Sequence, residues 1–291
     1  MNYLLYLVTI FALAAMQTAG WSLVVGLCGI PALNGGLLVG VGAYVYALLA
    51  TTLTPAVALG SAIAAGLVAG WLTGLLAYRL SSEWLVLGTL AIQLAGTTII
   101  ANLDGVTGGL YGITAIPRPS FSGRVMTNAN FALLALAAAV VALGVVRLWY
   151  TSPFARALRA GRDTPADVVH LGRSLSEMRR AAFACAGAVL APAGALAAAH
   201  ATYIDPSTGD LSVSIALVAA VVLGGSGRLS GALAGAAVIT LLPELLRFSP
   251  LAAAPAAAVQ QAIFGVLLVA CIRWKPNGLL GEHSYGFVGA R

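Results

Sequence analysis

Residues that commonly serve as nucleophiles, bases or metal ligands are few and widely spaced in this chain. The histidines and cysteines are His170, His200, His283, Cys28, Cys185 and Cys271. No His-Glu-x-x-His motif occurs, and no pair of carboxylates falls within one apolar stretch. The cysteines lie in apolar stretches at wide spacing, which favours a packing role over a metal site or a disulfide framework. The pattern therefore predicts that this chain is not an enzyme and binds no metal.

Uncharged polar side chains inside apolar stretches offer a second kind of chemistry. Examples are Gln17, Asn34, Thr89, Gln93, Thr97 and Gln260, and Gly35 follows Asn34 directly. Such groups bind a small polar molecule by hydrogen bonds. We take these positions as candidates for lining the path of a solute, which requires that the stretches around them be membrane spans.

The elements that hold these residues are indicated by a shortage of charge. Of 291 residues, 60% are hydrophobic and 8% are charged, whereas roughly a quarter are charged in soluble domains. No Asp, Glu, Lys or Arg occurs from Met1 to Tyr78, and a span takes about 20 apolar residues, so this interval holds about three spans. Further charge-free intervals are 84–103, 125–146, 181–204, 211–227, 229–243 and 248–272.

We therefore predict an all-α, polytopic transmembrane helix bundle of about nine spans, within a range of eight to ten, as a single domain over residues 1–291. Met1 to Gly20 has no positive region at its start, which favours a retained first helix over a secretory signal. The formal charge of +6 is interpreted as a consequence of membrane topology and not as a sign of nucleic-acid binding.

The basic residues indicate which side faces the cytoplasm. Seven of the fifteen lie between Arg147 and Arg180, so the positive-inside rule places that segment in the cytoplasm. Counting spans outward then places 104–128 and 205–210 outside. Arg118 and Arg124 are exceptions to the rule on the outer side.

The segment from Gly26 to Gly36 contains four glycines, Pro31 and Asn34. Two interpretations are open. It is either a discontinuous helix that lines a solute path, since broken backbone at membrane depth is tolerated in protein or beside a cavity, or a plain loop between the first two spans.

The polar segment 151–180 predicts two short helices. Ser152 is a suitable N-cap with Pro153 at the first helical position, and Gly161 separates this helix from a second one that begins at Asp163 and ends at Gly172. The segment is interpreted either as a basic face on anionic lipid or as a docking surface for a soluble partner.

Several motifs occur in one order and together carry a family resemblance. They are Gly40-Val41-Gly42-Ala43-Tyr44 at the end of the Gly-rich stretch, Leu80 to Leu90, Thr107-Gly108-Gly109-Leu110-Tyr111-Gly112-Ile113, Ser152 to Gly172, Tyr203-Ile204-Asp205-Pro206-Ser207, Val222 to Gly227, Leu241 to Arg247 and Trp274-Lys275-Pro276-Asn277-Gly278-Leu279. With these motifs the chain resembles the permease subunits of branched-chain amino acid ABC importers of the LivM type, to which urea and amide permeases are similar.

The resemblance implies a permease subunit in the bacterial inner membrane that moves a small polar solute, most often an amino acid. It implies two cytoplasmic ATPase subunits that use ATP and Mg, a second permease subunit, and a periplasmic solute-binding protein, with no cofactor in this chain. The loop 104–128 would contact the binding protein or form a structured cap. The residues implied to couple this chain to the ATPases are Arg156, Arg159, Asp163, Ala166, Asp167 and Gly172, although Pro165-Ala166-Asp167 departs from the family's Glu-Ala-Ala-like run.

An ion-coupled secondary transporter, or a channel-like facilitator for a neutral solute such as urea, is the alternative. Broken helices suit it equally well. Such carriers commonly place an ionisable residue at membrane depth, and the sequence predicts none there, since Glu244 with Arg247 is interpreted as a pair at a helix end.

Overall fold

The computed structural model describes residues 2–77, 82–121, 124–163, 172, 174–225, 227–247, 265–266 and 279–280. Helices dominate these ranges. They are α1 (Asn2–Ser22), α2 (Gly35–Leu49), α3 (Pro55–Ala77), α4 (Ser82–Asn102), α5 (Asp104–Thr107), α6 (Asn128–Thr151), α7 (Pro153–Asp163), α8 (Leu175–Ala201), α9 (Leu211–Gly224) and α10 (Leu229–Arg247).

Six segments in the described ranges are long and apolar enough to cross a membrane. They are Tyr3–Leu27, Pro55–Leu76, Trp84–Asn102, Asn128–Thr151, Leu175–Ala201 and Pro206–Gly224. Gly35–Leu49 and Leu229–Leu241 are shorter apolar helices, and the predicted interval 248–272 falls almost wholly outside the described residues. The structure confirms an all-α polytopic bundle, while the number of nine spans stays a prediction.

Short antiparallel strands, which the sequence did not predict, order one end of the bundle. β1 (Ile113–Thr114) pairs with β4 (Tyr203–Ile204), and β2 (Ser120–Phe121) pairs with β3 (Arg124–Val125). The β1–β4 pair joins the loop after α4 to the segment after α8. The described residues of the loop, 104–121 and 124–128, are therefore structured, and contact of the loop with a binding protein stays a prediction.

Glycines allow the backbones of neighbouring helices to touch. A Cβ at Gly66 of α3 would overlap the carbonyl oxygen of Gly187 of α8, and the reverse substitution would overlap the Gly66 carbonyl. A Cβ at Gly42 of α2 would overlap the Ala191 carbonyl of α8. Small residues favour such packing where lipid removes the hydrophobic drive between helices.

The bundle contains two similar units, each with a long helix, a break and a short helix. In the first unit α1 and a π-helical turn are followed by a break and by α2, and in the second α8 is followed by a break and by α9. The long helices run antiparallel, because Tyr6 near the start of α1 contacts His200 near the end of α8, with ring centroids 5.9 Å apart, while Gly20 meets Val189. Each unit is followed by a helix that packs against the other unit: α3, after the first unit, packs along α8, and α10, after the second unit, packs along α1.

The ends of successive helices alternate between the two ends of the bundle. At the basic end, Arg180 of α8 packs against Gly74 near the end of α3. At the far end, Arg118 donates to the His200 carbonyl over 3.2 Å. This arrangement agrees with the predicted alternation of the segments, and the assignment of the basic end to the cytoplasm stays a prediction.

Candidate functional site

The Gly-rich segment 26–36 is a break that lies inside the bundle. The turn before it, Leu23–Leu27, is π-helical and buried, and Asn34 at its end is fully buried. Gly29 adopts a φ of 68°, and a Cβ there would lie 2.7 Å from Cγ of Arg162. The break therefore lies largely buried inside the bundle. The chain turns back there, because the turn after α1 lies beside Arg162 while Tyr46 of α2 reaches Pro117 in the loop after α4. Both the discontinuous helix and its role in lining a solute path stay predictions.

The starts of α2 and α9 meet at Gln93 of α4. The Gln93 Oε1 atom accepts hydrogen bonds from the Leu37 N–H at 2.9 Å and from the Ser214 hydroxyl at 3.0 Å. Its Nε2 atom donates to the Gly209 carbonyl at 2.6 Å. Ser214 Oγ in turn accepts from the Gly36 N–H at 2.8 Å. Two side chains from other helices thus cap the first turn of α2, and we call Gln93, Ser214, Asn34 and Gly209 the midplane cluster.

The depth of this cluster follows from α4. Gln93 lies near the centre of the apolar segment Trp84–Asn102, so α2 and α9 both begin about halfway through a span. The prediction that 205–210 lies in an outer loop is therefore wrong for its last residues, because a 3-10 turn carries the chain back into the bundle. The prediction of no ionisable residue at this depth is wrong for Asp210, which caps α9 by accepting from the Leu211 N–H at 2.6 Å and is exposed.

Two polar groups at the start of α2 are unsatisfied. Asn34 is the N-cap residue of α2, but it makes no side-chain cap bond, and its Oδ1 and Nδ2 atoms have no hydrogen-bond partner among the described residues. The indole Nε1 of Trp21 is likewise unpartnered within that part of the chain. Both side chains are 0% exposed. The Trp21 ring lies against Gly35, where a Cβ would be 3.0 Å from Cε2 of the indole.

The other predicted path residues are placed differently. Thr89 accepts from the Leu33 N–H at 3.1 Å and so holds the break against α4. Thr97 donates only to carbonyls of its own helix, and Gln17 is half-buried in α1. Gln260 lies outside the described residues. The structure thus groups Asn34, Gly35, Thr89 and Gln93 and leaves Thr97 and Gln17 apart.

At the basic end, α7 is joined to the break that follows α1. Arg162 Nη1 donates to the Gly26 carbonyl at 3.1 Å, and its aliphatic stem packs on Gly29. Only glycine leaves room for the stem there, since a side chain at position 29 would occupy the same space. Arg162 therefore joins α7 to the break by direct contact.

The same helix also contacts the turn that follows α9. Arg159 Nη2 lies 3.5 Å from the Gly227 carbonyl, at the limit of a hydrogen bond, and its guanidinium lies 5.6 Å from the centre of the Tyr150 ring. The Tyr150 hydroxyl donates a hydrogen bond to Oγ of Ser22 at 2.9 Å. We call these contacts of Arg159, Arg162 and Tyr150 the basic-end linkage. It joins α7 to both units of the bundle.

The structure confirms the start of α7 and corrects its end. Ser152 Oγ accepts from the Ala155 N–H at 3.2 Å, as predicted for the N-cap. The prediction that Gly161 ends the helix is wrong, because α7 continues to Asp163. A Cβ at Gly161 would overlap the side chain of Leu175, so this glycine permits close packing against α8.

The remaining predicted coupling residues are only partly described. Arg156 is exposed on α7, and Asp163 is the last residue of that helix. Gly172 is exposed, with a φ of 70°, which is the left-handed conformation expected where a helix stops. Ala166 and Asp167 lie outside the described residues, as does the helix predicted to contain them.

A cavity of about 400 Å³ lies between α1, α3, α6 and α8, and its lining is almost entirely apolar. Met16, Ile63, Val141 and Cys185 are among the residues around it. A polar solute would lose its hydrogen bonds with water there and gain none. The midplane cluster is therefore the better candidate for contact with such a solute.

Short helices that begin inside the bundle and meet at polar side chains are found in many polytopic membrane transport proteins. The chain belongs to the family of permease components of the branched-chain amino acid transport system, whose family model matches residues 1–272.

Among its relatives is the high-affinity branched-chain amino acid transport system permease protein LivM of Salmonella typhimurium, which is 29% identical over 90% of this chain and 66% of its own length. A probable branched-chain amino acid transport permease protein LivH of Methanocaldococcus jannaschii is 27% identical over 74% of this chain and 72% of its own length. The chain thus spans slightly less than two thirds of the length of the LivM relative. No solved structure matches the chain.

The sequence missed several residues of these sites. Ser214 and Trp21 lie in charge-free stretches and carry no local signal for a cap or an unsatisfied group. Tyr150 and Arg162 stand beside the polar segment, but their partners are more than a hundred residues away.

Proposed function

We propose that this chain is a transmembrane permease subunit of an ATP-driven importer. It moves a small polar solute, a branched-chain or other amino acid, across the bacterial inner membrane by alternating access. The observation that carries this proposal is the basic-end linkage. A helix outside the bundle is bonded to the inner turns of both units, which is the arrangement that an external motor requires.

Coupling follows from the contacts of α7. Two cytoplasmic ATPases bind ATP and Mg, close, and draw the α7 helices of two permease subunits together. Arg162 passes that movement to the break at Gly26, and Arg159 passes it to the turn at Gly227. Because α2 and α9 begin directly beyond these segments, their junction at the midplane cluster opens toward one side or the other.

The partners are two ATPase subunits, a second permease subunit and a periplasmic solute-binding protein, and this chain holds no cofactor. Affinity purification from the native membrane tests their presence. We expect two ATPase chains and a second permease to be recovered with this chain. Recovery of a folded chain that transports solute without any ATPase would refute the proposal.

A second candidate function is ion-coupled secondary transport, and Asp210 favours it because an exposed carboxylate at mid-span is suited to bind a cation. The two functions differ in their energy source. Uptake into native-membrane vesicles that requires internal ATP and survives a proton ionophore supports the importer. Uptake that the ionophore abolishes while ATP remains supports the ion-coupled carrier.

Substitution of Arg162 by methionine tests the linkage. Methionine retains an unbranched stem over Gly29 but cannot donate to the Gly26 carbonyl. A hydrogen bond from a charged donor contributes about 1.5–3 kcal/mol, so we expect solute uptake per ATP hydrolysed to fall about tenfold or more. ATP hydrolysis by the assembled complex should persist.

The matched control is Arg147→Met, which removes a similar charge from an exposed position on α6. We expect uptake per ATP to change less than twofold in this variant. Equal losses in the two variants would show that net charge, and not the contact with the break, determines coupling.

A further inference from the structure

We propose that the start of α2 is a subsite for the carboxylate of a zwitterionic amino acid, with Asn34 and the indole N–H of Trp21 as its donors. The inference rests on the proposed function, because it names the solute chemistry of the midplane cluster. Urea and simple amides lack a carboxylate and are thereby distinguished from the solute.

The first observation is the unsatisfied state of these two side chains. Buried polar groups in proteins are nearly always hydrogen-bonded, so each exception calls for an explanation. Asn34 has two unpartnered atoms and Trp21 has one among the described residues, and both side chains are 0% exposed. They lie at the same place, since Asn34 is the N-cap residue of α2 and the Trp21 ring edge contacts Gly35.

The second observation is the electrostatic character of this place. The N-terminus of a helix carries a partial positive charge, which favours anions. α2 has 15 residues and begins at Gly35, and α9 begins close by, because Gly36 faces the backbone of Asp210. Two N-termini therefore direct their dipoles to one region at mid-span, and no Lys or Arg is needed to hold a carboxylate there.

The chemistry of the donors agrees with this field. An amide NH2 and an indole N–H donate hydrogen bonds, and a carboxylate accepts them. The backbone of Asp210 lies against Gly36, and its exposed carboxylate supplies an acceptor for the ammonium group of the same solute. The start of α2 and Asp210 would thus meet opposite charges of one amino acid.

Asn34 contributes no hydrogen bond to the fold, which argues against a purely structural role for this residue. It caps no amide of α2, since Ser214 and Gln93 already accept from the second and third N–H groups of that helix. A leucine of similar size at position 34 would remove the unsatisfied amide without removing any bond. Retention of an unsatisfied group at a binding site is a common exchange of stability for function.

The test is the thermal stability of the full chain, purified with its accompanying subunits, in L-leucine and in L-leucinamide, which lacks the carboxylate. At a leucine concentration roughly five times the dissociation constant, we expect the midpoint of unfolding to rise by about 2–4 °C. L-Leucinamide should give no rise. Equal rises with both compounds, or no rise with either, would overturn the subsite.

Two variants assign the effect to Asn34. Asn34→Leu should raise the midpoint without any ligand and should lose the response to leucine. The control Thr240→Val, on α10, removes a hydroxyl that donates only to its own helix and should keep the full response. A response that survives in Asn34→Leu would place leucine elsewhere, including on a binding protein that is purified with the chain.

Failure of this inference is distinguishable from failure of the proposed function. ATP-dependent uptake is measured on the same preparation. If uptake requires ATP while leucinamide stabilises the chain as well as leucine, the importer stands and the carboxylate subsite falls.

Discussion

Gln93→Leu removes three hydrogen bonds from the centre of the bundle. The Leu37 N–H, the Ser214 hydroxyl and the Gly209 carbonyl each lose a partner, at distances of 2.9, 3.0 and 2.6 Å. Hydrogen bonds between transmembrane helices contribute about 0.6 kcal/mol on average and up to about 1.7 kcal/mol. We therefore expect the free energy of unfolding to fall by about 2–5 kcal/mol.

The assay is equilibrium unfolding of the purified chain in mixed micelles with increasing SDS. Thr97→Val is the matched control on α4, since the Thr97 hydroxyl donates only to carbonyls of its own helix. We expect its effect to remain within about 0.5 kcal/mol, as for substitutions away from interhelical contacts.

The contrast between the two variants decides the result. If Gln93→Leu unfolds at the same SDS fraction as the wild-type chain, α2 and α9 do not meet at Gln93, and the inferred depth of both helices is refuted. If both variants are destabilised equally, the effect belongs to α4 itself.

Two further predictions concern helix packing. Gly66→Leu should sharply reduce the yield of folded chain on size-exclusion chromatography, because the leucine side chain would overlap the Gly187 backbone. The control Gly60→Leu should fold normally, since the space around Gly60 is open. Equal yields of the two variants would contradict the close contact of α3 with α8. Tyr150→Phe should lower the free energy of unfolding by about 1 kcal/mol, because the bond to Ser22 is lost while the ring remains, and an unchanged value in the SDS titration would contradict that bond.

The spans could be predicted because a stretch without charged residues is recognised from the local sequence alone. The charge-free interval 84–103 coincides with α4 to within two residues, and 181–204 covers most of α8, which begins six residues earlier at Leu175. The break at 26–36 was also visible, since glycine and proline destabilise a helix wherever they stand. The sequence does not determine whether this break is buried, because its burial depends on contacts with α4 and α7, which are remote in sequence.

The candidate site was only half predictable. Polarity alone identifies Asn34 and Gln93. Asn34 lies at the start of α2, and Gln93, in the middle of α4, contacts the starts of α2 and α9. Ser214 and Trp21 were missed because serine and tryptophan are ordinary residues in apolar helices. The sequence places Asp210 in an outer loop when charged residues are taken as the boundaries of spans, and a helix that begins at mid-span breaks that rule.

The capped start of α2 also has a consequence for biosynthesis. Its partner Ser214 lies 178 residues further along the chain, so the ribosome must synthesise this whole interval before that cap exists. At a synthesis rate of about 5–20 residues per second, roughly 9–36 s pass between the emergence of the two residues. During this time α2, with 15 residues, is shorter than the roughly 20 residues that a stable span requires. We expect α2 to reach its final position late, after α9 has entered the membrane.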